Sequence, residues 1–149
     1  MNQHIYNILL ADDDDDDCSF FEEALDELSL ATTLVTVNDG VHLMNFLADT
    51  SQESLPDVLF LDLNMPRKNG SECLTEIRQI ERLKDFPIII FSTSLDTKIV
   101  DVTYEMGATF YIRKPGDFSK LKTVIENALI AASENNFKQP ERAHFIIQP

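Results

Sequence analysis

Val58 to Leu61 and Pro87 to Phe91 are short runs with no polar position. A strand with one face in water alternates apolar and polar residues, whereas a run apolar throughout fits a strand covered on both faces, the pattern of a parallel sheet between helices. The rest of the chain supplies the alternation such a sheet needs. Ile5 to Ala11 is a first apolar run, and Ser19 to Leu30 then places Phe21, Ala24, Leu25 and Leu28 on one helical face. Thr33 to Val37 is mostly β-branched, and the turn Asn38-Asp39-Gly40 leads into a helix over Val41 to Ala48. The third strand, Val58 to Leu61, is followed by Asn64-Met65-Pro66 and, after Gly70, by a helix carrying Cys73, Leu74, Ile77 and Ile80. The fourth precedes a helix over Thr97 to Met106, with Ile99, Val102 and Met106 along one face and Gly107 as C-terminal cap. Thr109 to Ile112 is the fifth strand; Lys114-Pro115-Gly116-Asp117 breaks it and caps a last helix through Ala132, with Phe118, Leu121, Val124, Ile125, Ala128 and Leu129 facing inward.

Five strand-helix units predict an α/β fold, a doubly wound five-stranded parallel sheet with helices on both faces. The 149 residues, 44% of them hydrophobic, suit one domain, here drawn over 1–132 with 133–149 as a C-terminal tail. A net charge of −14 repels polyanions and anionic lipid, which argues against direct nucleic-acid or membrane binding. No signal segment or membrane-length apolar run is visible, so a cytoplasmic protein is expected, with Cys18 and Cys73 as reduced structural thiols.

In such sheets ligands collect beyond the C-terminal strand ends. Asp12 and Asp13 follow the first strand, Asp62 the third, Ser92 and Thr93 close the fourth, and Lys114 follows the fifth. Converging carboxylates raise one another's pKa and are tolerated chiefly around a cation. All-oxygen ligands select a hard metal; Mg²⁺ takes one or two carboxylates and keeps room for phosphate oxygens. A carboxylate beside it can attack a phosphoryl group, with Lys114 and a Ser92 hydroxyl to neutralise charge. Asp12 and Asp13 open a run of six aspartates, of which Asp14 falls in the loop and Asp15 to Asp17 at the solvated helix start, where the macrodipole favours acids.

The set ILLADD, VLFLDLNMPRKNG, PIIIFSTS and GATFYIRKP resembles the receiver domain of two-component response regulators, over Ile5 to about Ala132. The resemblance implies a flavodoxin-like sheet of order 2-1-3-4-5 and a signalling domain, not an enzyme, with at most limited self-phosphorylation and self-dephosphorylation chemistry. It implies Asp62 as phosphoacceptor, Asp12 and Asp13 as the acidic pair holding Mg²⁺, and Asn64 as donor of a backbone carbonyl to the metal. Ser92 and Lys114 would contact the phosphoryl oxygens, Tyr111 would be the switch aromatic coupled to Ser92, and Lys114-Pro115 would be cis. Thr93 would gate access, and Asn64 and Ser94 match positions that tune loss of the phosphoryl group. The implied partners are a sensor histidine kinase or phosphotransfer protein and an unidentified downstream protein.

Competing readings fit less well. A calcium loop on Asp12, Asp14, Asp16 and Glu23 lacks the central glycine, replaced by Asp17, and follows a strand instead of a helix. A haloacid-dehalogenase-type enzyme needs an acid two residues after its nucleophile, where this chain has Asn64. A phosphorylation-independent binding module on the receiver fold is the alternative to phosphoacceptance, disfavoured by the intact set Asp13, Asp62, Ser92 and Lys114. The tail, SENNFKQPERAHFIIQP, is too short and proline-interrupted for an output domain. Its apolar patch Phe145-Ile146-Ile147 can pack on the domain, on a second copy as in a homodimer, or on nothing.

Overall fold

The computed structural model describes residues 4–149. The chain runs β1 (Ile5–Ala11), α1 (Asp15–Asp26), β2 (Ala31–Val37), α2 (Gly40–Asp49), β3 (Val58–Leu61), α3 (Gly70–Gln79), β4 (Ile88–Ser92), α4 (Thr97–Glu105), β5 (Phe110–Arg113), α5 (Phe118–Glu134) and β6 (Ile146–Ile147). Every strand pair is parallel, in the order β2-β1-β3-β4-β5-β6.

Successive strand residues point to opposite faces, so a strand covered on both sides feeds two cores. Leu9, Leu59, Leu61, Ile88, Ile90 and Tyr111 join Leu43, Leu47, Leu74, Ile77 and Val100 from α2, α3 and α4. Ile8, Leu10, Phe60, Ile89, Phe91 and Ile112 join Phe21, Leu25, Val124, Ile125 and Leu129 from α1 and α5. That division explains why the central runs carry no polar residue. Side-chain caps begin each α-helix: Asp14, Asp39, Asn69, Asp96 and Asp117 each accept a backbone N–H from the first turn, and Asn69 forms a full capping box with Glu72. Among the described residues no helix is long and apolar enough to cross a membrane.

Four features depart from expectation. The sheet has six strands instead of five, because the tail folds back and lays Ile146 and Ile147 beside Tyr111 and Ile112. Phe145 becomes fully buried, with its ring 5.0 Å from that of Tyr104 and 6.1 Å from that of Tyr111. Gln139 anchors the crossing by donating to the carbonyls of Tyr104 and Ala108, and Arg142 pairs with Asp101 at 2.9 Å. Second, α4 buries Val100 and Thr103, leaving Ile99 37% and Val102 50% exposed. A polar residue can face this core because the Thr103 hydroxyl donates to the Val100 carbonyl and is satisfied locally. Third, β2 is a half-exposed edge strand, with Val35 in solvent.

Fourth, no peptide bond among the described residues is cis, so Lys114-Pro115 is trans where cis was expected. Trans is favoured by roughly 0.5–1 kcal/mol for an X-Pro bond unless packing opposes it. Here Pro115 is only half-buried, and the following Gly116 faces open space.

Candidate functional site

The sheet register places the site. Ala11 pairs with Leu61 and Leu61 with Ile90, so Asp12 and Asp62 emerge side by side at the strand ends, with Ser92 closing β4 beyond them. Asp12, Asp62 and Ser92 are all buried. The loop after β3 is held close by Gly70, where a Cβ would lie 2.2 Å from the Asp62 carbonyl oxygen. The backbone can make that approach only with glycine. Lys114 is tied to the neighbouring strand by its own N–H, which donates to the Ser92 carbonyl at 2.7 Å.

Asp12, Asp13 and Asp62 can each present a carboxylate oxygen so that all three lie within 4.8 Å of one another. The Lys114 ammonium sits among the acids: Nζ lies 2.8 Å from Asp12 Oδ2, 2.9 Å from Asp17 Oδ2 and 3.4 Å from Asp62 Oδ2. Asp12 Oδ1 also accepts the Asp14 N–H, and Asp62 Oδ1 accepts the Asn64 N–H at 3.2 Å. Burial pushes the Asp62 carboxyl up to about 6; the Lys114 charge pulls the other way, and the Asp12 charge adds to the rise. Burial likewise raises Asp12, against its hydrogen bond from Lys114. For Lys114 burial disfavours the charge, but hydrogen bonds to Asp12 and Asp17 outweigh it and hold the ammonium above the ordinary lysine range. Burial and the nearby acids raise the Cys18 thiol to about 11, which leaves it protonated and unreactive.

The expected residues thus divide. Asp12, Asp13, Asp62 and Lys114 come together. Ser92 is buried at the rim, and its Oγ accepts the Ser94 N–H. Thr93 is exposed, as is Asn64, whose N–H is turned toward Asp62. Ser94 is half-buried and caps its own loop through Asp96 N–H. Tyr111 is fully buried; its hydroxyl lies beside Ser92 and donates to the Ser94 carbonyl at 2.6 Å. Asp17 is the residue that sequence reasoning passed over. In the sequence it is one more acid at a solvated helix start, and only the distant Lys114 distinguishes it from its neighbours Asp13 to Asp16.

A buried carboxylate flanked by two more acids and an ammonium is equipped to bind a hard cation and to act as an oxygen nucleophile. The family model for the response regulator receiver domain matches residues 8–126. The chain belongs to that family. Among its receiver-domain relatives, the response regulator Rcp1 of Synechocystis sp. (strain ATCC 27184 / PCC 6803 / Kazusa) is 30% identical over 122 residues, covering 80% of this chain and 83% of Rcp1. The crystal structure of the Mn²⁺-bound form of Rcp1 superposes with a TM-score of 0.72 at 31% identity, over 81% of this chain and 89% of that one. The phosphorylated cyanobacterial phytochrome response regulator RcpA gives a TM-score of 0.78 at 29% identity, over 93% of this chain and 100% of its own. The donor set of this chain, all carboxylate oxygens, fits a divalent hard cation of the kind bound in that Rcp1 structure.

Proposed function

We propose that this receiver domain accepts a phosphoryl group on Asp62 from a sensor histidine kinase or phosphotransfer protein, with Mg²⁺ as cofactor, and signals by altered binding to a downstream protein. The observation that carries the reading is the convergence of Asp12, Asp13 and Asp62 around one point with Lys114 Nζ against them. In the transfer, an Asp62 oxygen attacks phosphorus; the new O–P bond forms as the N–P bond of a phosphohistidine breaks, and the electron pair stays on the imidazole nitrogen. Asp12 and Asp13 would hold the cation, which when bound supplies charge neutralisation for the phosphoryl oxygens. Lys114 contributes a positive charge 3.4 Å from Asp62 Oδ2. Asp62 must be ionised to attack, so burial that raises its pKa makes it a stronger base while the Lys114 charge favours the ionised form.

Output follows from the same geometry. A phosphoryl group on Asp62 adds charge and acceptor oxygens that draw in Lys114 and the Ser92 hydroxyl. Ser92 is bonded to Ser94, and Ser94 to Tyr111, so movement there reaches the surface of α4, β5 and α5. The exposed Ile99 and Val102 on α4 offer a partner an apolar contact. RcpA is a phytochrome response regulator, and on that likeness a phytochrome is one class of upstream partner for this chain.

The test is intact mass after incubation with Mg²⁺ and acetyl phosphate. A metal-dependent gain of one phosphoryl group, absent with EDTA and in Asp62→Asn, supports the reading. A gain that survives in Asp62→Asn, or no gain from a kinase or a small donor, overturns it.

A further inference from the structure

We infer that Asp17 is a positioning residue for Lys114, holding the ammonium back toward α1 and so restraining phosphoryl transfer to Asp62. This rests on the phosphoacceptor reading above. An ammonium has three N–H donors, and in the structure the two short contacts, 2.8 and 2.9 Å, go to Asp12 and Asp17, while Asp62 has the long one at 3.4 Å. The Lys114 side chain is only 11% exposed, so water does little to replace a lost partner.

The two short partners differ in what they do during the reaction. Asp12 belongs to the acidic trio that would face a cation, whereas Asp17 lies outside that trio and has no other charged partner among the described residues. Asp17 is also fixed in place. Its backbone stands in the first turn of α1, its N–H donating to the capping Asp14 Oδ1 at 3.0 Å, so the helix does not carry the carboxylate toward Asp62 with Lys114. Any move of the ammonium onto phosphoryl oxygens must therefore stretch or break the Asp17 contact. The cost falls on the transition state and on the phosphorylated product alike, because both draw the same ammonium. Of the six acids in the run, Asp12 and Asp17 reach Lys114, and of these two only Asp17 lies outside the acidic trio.

The experiment compares the full chain with Asp17→Asn, Asp16→Asn and Lys114→Ala, each alone, and with the Asp17→Asn/Lys114→Ala pair. Asp16 is exposed on the same turn, so its neutralisation removes an equal charge from the approach path of an anionic donor. Two readouts are taken: the rate of Mg²⁺-dependent phosphoryl uptake from acetyl phosphate, and the ¹⁵N signal of the Lys114 ammonium in the metal-free resting protein. The inference requires that Asp17→Asn shift the ammonium signal and raise the uptake rate about threefold, the scale of a partly exposed ion pair. It also requires that Asp16→Asn do neither, and that the gain vanish in the Lys114→Ala background. An equal gain from Asp16→Asn, a gain that persists without Lys114, an unchanged rate, or an unchanged ammonium signal each overturns it. Absence of phosphoryl uptake by the parent chain would instead remove the functional reading itself, and the ammonium signal would still report whether the ion pair exists.

Discussion

Phe145 and Asp62 are both buried beside the sheet, yet their burial pulls in opposite directions. Phe145 closes the β5 edge against Tyr104 and Tyr111, removing apolar surface from water with no polar group to desolvate. Asp62 is buried as an acid among acids, and its raised pKa is the mark of an unfavourable environment for the charge. The tail edge is thus built for stability, and the strand-end site holds a local cost. Active sites commonly carry such a cost.

The largest expected effect is at the stable edge. Phe145→Ala should lose about 3–5 kcal/mol, the usual range for an emptied buried aromatic site, read as a lower urea midpoint with an unchanged slope. An unchanged midpoint would mean that β6 is not docked. At the costly site, Mg²⁺ at a hundredfold excess over its Kd should stabilise the native chain by about 2.7 kcal/mol, and Asp13→Ala should remove most of that gain in a thermal melt.

A comparable effect comes from Asp62→Asn without metal. The folded carboxyl titrates near 6 and the unfolded one near 3.8, so the folded state binds the proton more tightly. The contribution of this group is fully present below pH 3.8 and is lost as pH rises through 6. Asp62→Asn should therefore stabilise the metal-free protein by roughly 3 kcal/mol at pH 7 and by nothing at pH 3, as measured by denaturant titration at the two pH values. A gain at pH 3 as large as at pH 7 would sever stability from ionisation. The smallest effect is Asp101→Ala, which removes the surface pair with Arg142 and should cost about 0.2–1 kcal/mol, less in high salt.

Much of this was legible because two independent signals coincided. Runs such as Val58–Leu61 are apolar at every position, which only a doubly covered strand explains, and polar residues stand directly after them. Topology alone accordingly places Asp12, Asp62 and Lys114 at one edge of the sheet. What escaped depends on partners that local pattern does not contain. β6 has two residues, and its pairing rests on an edge offered far earlier in the chain. The phase of α4 turns on one step between Ile99 and Val100, and a threonine that satisfies its own hydroxyl reverses the apparent apolar face. Asp17 lies in a run whose members look alike, and its distinguishing contact is 97 residues away. The trans Lys114-Pro115 bond shows the same lack of a local signal, since nothing in the two residues chooses the isomer.

The covered β5 edge has a practical corollary for cutting and joining this chain. A truncation at residue 132, where the helical pattern fades, would strip the N–H and C=O row of β5 that Ile146 and Ile147 pair with, and would leave an aromatic-lined notch in place of Phe145. Unpaired edges of that kind recruit strands from other molecules. A fluorescent reporter or affinity handle joined after Pro149 would leave the notch filled, and the same protein would behave as a different reagent depending on which of the two junctions was chosen.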